Sequence, residues 1–143
     1  FKFTERILKG KPIPVYNHGE MIRDFTYIDD IIAGVALLVD RFMARGNEFG
    51  AGIKDYSQIP PWKIYNIGNS RRVQLMDYIQ TLEKELGRKA SVQLLPMQDG
   101  DVPETEADIS SIVDDLGYQP KIEITEGVAR FVSWYQDYYR VSS

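Results

Sequence analysis

Amphipathic helical stretches that alternate with short apolar runs are the feature of this sequence that most restricts its fold. In the clearest helical stretch, Leu75, Ile79, Leu82 and Leu86 fall on one face, and Gly87 follows as a C-terminal stop. Further helices are predicted at residues 1–9, from Asp29 or Asp30 through Phe42, from Asp108 to Leu116, and from Thr125 through Tyr138. Short strands are predicted at Ile13–Tyr16, Lys63–Ile67 and residues 91–96. Four or five helices with three or four short strands indicate the α/β or α+β class.

The helix predicted after Asp29 carries apolar residues at the spacing of a buried stripe. Its members are Ile31, Val35, Leu38 and Phe42, with Ile32 and Val39 beside them. Residues 45–62, which follow, hold three glycines and two prolines without periodicity. That composition predicts an exposed loop, and a linker between two domains is the alternative.

Length and composition bound the class of protein. The chain has 143 residues and no cysteine, so we predict a single domain over 1–143 whose core forms without disulfides. No apolar run approaches the roughly 20 residues that a membrane span needs, and no secretory signal is present. These features predict a soluble, cytoplasmic protein that does not bind a membrane. A net charge of -4 argues against nucleic acid as a partner.

The charge is distributed unevenly along the chain. Residues 1–23 hold five basic and two acidic side chains, a balance of +3, while the remaining 120 residues hold 12 basic and 19 acidic groups, a balance of -7. A small anionic ligand is favoured near the beginning of the chain. Solvated lysines on amphipathic edges explain the same balance.

The sequence predicts neither a metal site nor a catalytic centre. His18 is the single histidine and there is no cysteine, so a zinc site is not expected. The acidic run over residues 99–108 lacks the ligand spacing of an EF-hand, which favours helix capping and solvation. There is no G-x-S-x-G, no phosphate-binding glycine loop and no Tyr-x-x-x-Lys.

Arg23 differs from the other cations because it lies between two segments that both look partly buried. An arginine there needs a partner, either a carboxylate such as Asp24 or Asp29, or an outside anion such as a phosphate. Local sequence alone favours the internal salt bridge. The flanking aromatics suit either a nucleotide base or core packing; they are Tyr16, Phe25 and Tyr27.

Four segments in order carry a resemblance to a known family: "GKPIPVYNHGEMIRDFTYIDDI", "KIYNIGNSRRVQLMDYI", "LPMQDGDVPETEAD" and "EGVARFVSWYQDYY". Together they resemble the C-terminal, substrate-binding half of the extended short-chain dehydrogenase/reductases that act on nucleotide-sugars. Within that family they are most similar to UDP-glucuronate 4-epimerases. The resemblance implies a small α/β (α+β-like) substrate-binding subdomain of a Rossmann-type nucleotide-sugar epimerase. Because Phe1 is not an initiator methionine, we expect a piece of a longer protein.

The resemblance implies a substrate-binding role for residues of two early segments. The strand that matches "PVY" lines the uracil pocket in the family, which points to Val15 and Tyr16, with Asn17 beside them. The arginine of the R-D-F/Y pattern, here Arg23, contacts the diphosphate.

The resemblance also assigns residues of the later acidic loop. Gln98 stands where family members often place a second phosphate-binding arginine, so a hydrogen bond replaces a charge. Asp101 matches a family aspartate that either meets the uridine ribose or fixes the loop. Thr105 stands near the place of a sugar-contacting tyrosine in some relatives.

For function, the resemblance implies a parent enzyme of polysaccharide biosynthesis that interconverts UDP-glucuronate and UDP-galacturonate with NAD. NAD and catalysis belong to an N-terminal Rossmann half, through a glycine-rich turn and a Tyr-x-x-x-Lys pair. This chain holds neither motif, so its expected partners are a UDP-sugar and that Rossmann half, in a homodimeric parent. The alternatives are a dehydratase or decarboxylase of the same family, or a non-catalytic nucleotide-sugar binding or protein-interaction module.

Overall fold

The computed structural model describes residues 1–49 and 63–141. The described residues contain five helices: α1 Lys2–Leu8, α2 Ile28–Phe49, α3 Leu75–Leu86, α4 Ser110–Leu116 and α5 Ile124–Tyr139. They contain four short strands: β1 Ile13–Val15, β2 Ile22–Asp24, β3 Arg72–Gln74 and β4 Val92–Leu94. This mixture of helix and strand confirms the predicted class.

The described residues form two compact units, and the predicted single domain stays a prediction. The first unit comprises Phe1–Phe25, Arg71–Glu106 and Ile122–Ser143, and the second comprises Thr26–Ser70 and Ala107–Lys121. No helix in the described part of the chain is both long and apolar enough to cross a membrane.

The first unit holds a hydrophobic core between α1, α3, α5 and the β1–β4 pair. Its buried members are Ile7, Ile13, Val15, Ile79, Leu82, Leu86, Val128 and Val132. Strands β1 and β4 pair in parallel, and β2 and β3 pair in antiparallel register with Arg23 opposite Val73. The periodicity of α3 is confirmed, since three of its four predicted core residues are buried. Gly87 ends that helix with φ +63, a conformation that glycine adopts without strain.

The second unit packs α2 against α4 and Tyr118. Tyr118 is almost fully buried and its hydroxyl donates to the carbonyl of Gly68 at 3.0 Å. A Cβ at Gly34 on α2 would come within 3.0 Å of Ile67 and 3.2 Å of the Tyr118 ring, so a larger residue there requires these side chains to shift. Asp30 is also buried, and its carboxylate accepts the Lys121 amide at 2.9 Å.

Helix α2 differs from its prediction at both ends. It begins at Ile28, so Asp29 and Asp30 lie in its first turn rather than ahead of it. It continues to Phe49, so the first five residues of the loop predicted over 45–62 are helical, and the rest of that loop lies outside the described residues.

The apolar stripe predicted to be buried on α2 is exposed in the described part of the chain. Phe42 is 71% exposed and Val35 is 43% exposed, and Ile32 and Val39 are exposed as well, while Ile31 and Leu38 are half-buried. Periodicity shows that one helical face is apolar but not which element covers it. Within the second unit α4 packs on α2, and Ile32, Val35, Val39 and Phe42 nevertheless stay exposed.

The strand predicted at Lys63–Ile67 is also absent. The segment has no ladder partner among the described residues, and its side chains bond instead to the region of α4. The Tyr65 hydroxyl donates to Asp115 at 2.6 Å, and the Asn66 amide donates to the carbonyl of Asp108 at 3.1 Å.

Candidate functional site

Arg23 on β2 is held by three oxygen acceptors. Its Nη1 donates to the carbonyls of Ile22 at 2.9 Å and Pro103 at 3.2 Å. Its Nη2 donates to Oδ1 of Asp101 at 3.0 Å, so the two side chains form an ion pair. Arg23 keeps 23% of its side-chain surface exposed, and an anion from solution can therefore still reach the guanidinium. Charge-assisted contacts of this kind are stronger than neutral hydrogen bonds.

The segment from Gln98 to Glu106, called the arm below, is fastened to β2 through backbone hydrogen bonds. The Ile22 amide donates to the carbonyl of Pro103 at 2.9 Å, and the Thr105 amide donates to the carbonyl of Ile22 at 3.1 Å. Glu104 thereby forms a parallel bridge with Ile22. These bonds place the Pro103 carbonyl where Arg23 contacts it.

A tight turn inside the arm aims Asp101 at Arg23. The Asp101 amide donates to the carbonyl of Gln98 at 3.1 Å, and Gly100 between them has φ +82, which suits glycine. The Asp101 carboxylate also accepts the amide of Val102 at 2.8 Å. Gln98 itself is exposed at the start of this turn.

The other candidate residues lie at the end of β1. The side chain of Val15 is fully buried in the core, and its carbonyl accepts the Leu95 amide at 2.8 Å. Val15 can therefore shape a pocket wall through its backbone but presents no side chain to one. Tyr16 and Asn17 are half-buried, and the side-chain amide of Asn17 donates to the carbonyl of Glu20 at 2.7 Å.

The turn after Tyr16 has three successive residues with positive φ: Asn17 at +48, His18 at +52 and Gly19 at +89. Two of them are not glycine, so the turn carries backbone strain that surrounding contacts must hold. The His18 amide donates to the carbonyl of Leu95 at 2.9 Å, and a Cβ on Gly19 would come within 3.0 Å of Met76. The His18 side chain points to solvent in this turn. Within residues 1–49 and 63–141, no group of three acidic, histidine or cysteine side chains could hold a metal ion.

The aromatic residue nearest to Arg23 in sequence is engaged in packing. The ring of Phe25 stacks on that of Tyr78 with centroids 4.4 Å apart and planes 13° apart. Burial raises the pKa of Tyr78 above its ordinary value. One face of Phe25 is therefore occupied by the protein, which favours core packing over base stacking for this ring.

An open groove of about 310 Å3 lies beside the β2–β3 pair. It is lined by Gly19, Glu20, Ile22, Gln74, Pro103 and Glu104. Arg72 lies two positions before the groove residue Gln74. It forms ion pairs with Glu104 and with Glu106, and the Arg72–Glu106 distance is 3.8 Å. Sequence reasoning missed Arg72, because no local pattern indicates an ion pair between residues 32 positions apart.

The structure thus brings Arg23 and Asp101 into direct contact and places Gln98 in the turn that orients Asp101. In the described residues, neither Tyr16 nor Asn17 is hydrogen-bonded to Arg23; they form a second group at the end of β1. The arginine needs an acidic partner, as its position predicts, but that partner is Asp101 rather than Asp24 or Asp29.

Comparison with solved structures identifies the class of protein to which this arrangement belongs. A UDP-glucuronic acid 4-epimerase from Bacillus cereus, solved in complex with UDP-glucuronic acid and NAD, matches with a TM-score of 0.75 and 27% sequence identity. The match covers 96% of this chain and 39% of that chain. The fold is therefore that of a part of a Rossmann-type nucleotide-sugar epimerase.

Sequence comparison gives the family. The family model described as GDP-mannose 4,6 dehydratase matches residues 1–131, and the chain belongs to that family. An uncharacterized protein of Escherichia coli O111:H- is 46% identical over 142 residues, or 99% of this chain. A probable UDP-glucuronate 4-epimerase of Rhizobium meliloti (strain 1021) is 39% identical over 142 residues, or 98% of this chain. The chain spans 42% of the length of each of these two relatives.

These matches confirm the resemblance carried by the four ordered segments. They also raise the question of NAD, which the solved relative contains. Among the described glycines with positive φ, Gly87 and Gly117 each end a helix, and Gly10, Gly19 and Gly100 each stand in a turn. No glycine in residues 1–49 and 63–141 opens a helix as the dinucleotide-binding turn requires.

Proposed function

We propose that the chain is the substrate-binding part of an NAD-dependent nucleotide-sugar 4-epimerase that interconverts UDP-glucuronate and UDP-galacturonate through a 4-keto intermediate. The similarity to a probable UDP-glucuronate 4-epimerase supports the choice of reaction. Arg23 carries the argument for a diphosphate-bearing substrate.

The geometry around Arg23 suits an anion from outside the protein. Two backbone carbonyls fix Nη1, while Nη2 is bound to a partly exposed carboxylate that a ligand can displace. An incoming diphosphate presents the same kind of oxygen acceptor as the Asp101 carboxylate, with more charge. A charge-assisted hydrogen bond of this type contributes about 1.5–3 kcal/mol.

Binding far from the reacting carbon is useful for an epimerase. Contacts to the nucleotide and diphosphate hold the substrate while the sugar stays free to present either face. In this proposal Arg23 holds the diphosphate, and Gln98 adds a neutral hydrogen bond where relatives carry a second cation. Tyr16, Asn17 and the backbone of Val15 form the uracil side, and Asp101 meets the ribose or fixes the arm.

Catalysis and NAD are assigned to a separate Rossmann half of the parent protein, since this sequence has no Tyr-x-x-x-Lys. When bound there, NAD supplies reversible hydride transfer at the sugar carbon. The exposed apolar face of α2 gives that half a surface to cover, and so does the segment 63–67, which has no strand partner among the described residues. A cytoplasmic location, a homodimeric parent and a role in polysaccharide biosynthesis stay predictions of the resemblance.

Titration of the 143-residue chain with UDP tests the proposal. We expect weak, saturable binding that Arg23→Ala reduces at least tenfold, because a charge-assisted contact is lost. Arg130→Ala is the matched control, since Arg130 pairs with Glu126 within α5. The chain with added NAD should not turn over UDP-glucuronate. Binding that is equal in Arg23→Ala and the wild type would contradict the assignment.

A dehydratase of the same family is the second candidate, and the description of the matching family model favours it. A 4,6-dehydratase eliminates the hydroxyl at C6, which a uronic acid lacks, so it starts from a nucleotide-linked hexose. Arg23 serves either substrate, because both carry a diphosphate. Product analysis with the complete parent protein separates them: an epimerase returns a uronic acid of the same mass, and a dehydratase yields a product lighter by one water.

A further inference from the structure

The arm is fastened to the β2–β3 pair on both faces. In the antiparallel register Asp24 lies opposite Arg72, and Arg23 lies opposite Val73. Because successive residues of a strand point to opposite faces, Arg23 and Arg72 project from different sides of the pair. Arg23 contacts the arm at Asp101, and Arg72 contacts it further along the chain.

The arm needs cations to stay in place. It carries four carboxylates and no basic side chain: Asp99, Asp101, Glu104 and Glu106. Like charges at this spacing repel one another and favour detachment of the arm. Arg23 neutralises one carboxylate, and Arg72 pairs with two, Glu104 and Glu106.

Substrate binding removes one of these two fastenings. A diphosphate that takes Nη2 of Arg23 competes directly with Asp101 for the same donor. The arm must then be kept in place by its backbone bridge to Ile22 and by Arg72. The position of the arm also affects Arg23, because the arm supplies the Pro103 carbonyl that orients Nη1 of Arg23.

We propose that Arg72 is a positioning residue for the nucleotide-sugar site. It anchors the arm through Glu104 and Glu106, and so keeps the Pro103 carbonyl in contact with Arg23 after Asp101 has been displaced by the diphosphate. The inference rests on the proposed function, since it assumes that Arg23 binds a diphosphate. Arg72 itself does not touch the substrate in this account.

Hydrogen exchange at one amide reports on the anchor independently of any ligand. The Thr105 amide is bonded to the carbonyl of Ile22, so its exchange rate in the 143-residue chain measures opening of the arm. We expect Arg72→Ala to raise that rate about three- to fivefold, a modest effect because the ion pairs are about half exposed. Arg71→Ala is the matched control, since Arg71 pairs with Glu123 instead of the arm.

Titration with UDP tests the positioning role. We expect Arg72→Ala to weaken UDP binding about threefold and Arg71→Ala to leave it unchanged. Arg72→Lys should restore part of the lost UDP affinity, because lysine keeps the positive charge but lacks the planar guanidinium that contacts two carboxylates. High salt should reduce the difference in UDP affinity between wild type and Arg72→Ala. Adding Glu104→Gln to Arg72→Ala should change the UDP affinity little further. A packing role for the side chain would produce neither the salt dependence nor the coupling.

The outcomes separate the two proposals. Equal Thr105 exchange in Arg72→Ala and Arg71→Ala overturns the anchor, and so does tighter UDP binding by Arg72→Ala. If the wild type binds no UDP while Thr105 exchange rises in Arg72→Ala, the proposed function and the positioning role both fail and the anchoring contact stands. If UDP binds through Arg23 and Arg72→Ala changes neither quantity, the proposed function stands and the role of Arg72 is refuted.

Discussion

Asp101 accepts a hydrogen bond of 3.0 Å from Nη2 of Arg23, although 78 positions separate the two residues in the sequence. The contact joins β2 to an acidic segment that is far away along the chain. It satisfies a partly buried guanidinium when no ligand is present, and it places a displaceable carboxylate where an anionic substrate would bind. The internal salt bridge and the proposed anion site are therefore two uses of one arginine.

Removal of the Asp101 charge tests whether this carboxylate competes with a diphosphate for Arg23. In Asp101→Asn the arm keeps its backbone bridge and Arg72, while the carboxylate that competes for Arg23 is lost. We expect UDP to bind the 143-residue chain about threefold more tightly, measured by calorimetric titration.

Asp99→Asn is the control for Asp101→Asn, because it changes the charge of the arm equally at an exposed site. Its effect on UDP affinity should be smaller. Weaker binding by Asp101→Asn alone would show that the carboxylate contacts the ligand, as the ribose assignment requires, and would contradict the competition.

The packing of the first unit predicts the effect of a core deletion. Leu82 on α3 is fully buried in the hydrophobic core, so Leu82→Ala should lower the free energy of unfolding by about 2–5 kcal/mol. Leu94→Ala is the matched control at a side chain that is 53% exposed, and we expect a cost below about 1 kcal/mol there. Urea denaturation followed by circular dichroism measures both, and equal costs would contradict the placement of α3.

Much of the fold follows from local sequence, because local rules set its elements. Helix α3 shows this most clearly: its apolar spacing, its length and its glycine stop agree, and its face is buried within the same unit. The end of α4 at Gly117 follows in the same way: Gly117 has φ +68, and its backbone amide donates a hydrogen bond to the carbonyl of Val113.

The errors arise where a pattern depends on a covering element. The apolar stripe of α2 and the strand-like segment 63–67 carry patterns of buried structure, but the described part of the chain has no element over the stripe and no ladder partner for the segment. A sequence pattern fixes which face is apolar and which residues favour a strand. It does not name the partner that makes them buried or paired.

Local sequence likewise indicates some residues of the candidate site and not others. Arg23 stands out locally, because it is a cation between two partly buried segments. Its partner Asp101 is distant, and only the family resemblance points to Asp101 and Gln98. Arg72 gives no sequence signal, since its ion pairs depend on how the arm returns to β2.

The loss of stability at acid pH should include a contribution from Asp115. Hydrogen bonds from Lys63 and then from Tyr65 hold the pKa of this carboxyl below its ordinary value of 3.8. A depressed folded-state pKa contributes stability that is present above 3.8 and is lost as the pH falls through the lower, folded-state value. We expect a carbon-detected NMR titration to show this lowered pKa in the wild type.

Lys63→Met should raise the pKa of Asp115 toward 3.8, because the largest stabilising contact of the carboxylate is removed. It should also weaken the dependence of unfolding on pH in the acid range. Lys84→Met, on the exposed side of α3, is the control and should leave the titration of Asp115 unchanged. An unaltered pKa in Lys63→Met would show that the contact does not persist in solution.

The exposed stripe on α2 predicts a contrast between two phenylalanines. Phe42 is 71% exposed, whereas Phe131 is half-buried against the core and contacts the rings of Trp134 and Tyr135. Phe42→Ser should therefore change the free energy of unfolding by no more than about 0.5 kcal/mol, while Phe131→Ser should cost at least about 2 kcal/mol. Because the stripe is a contiguous apolar surface, Phe42→Ser should also reduce self-association of the 143-residue chain in sedimentation experiments. Equal destabilisation by the two substitutions would mean that the α2 stripe is buried in solution, as its periodicity first suggests.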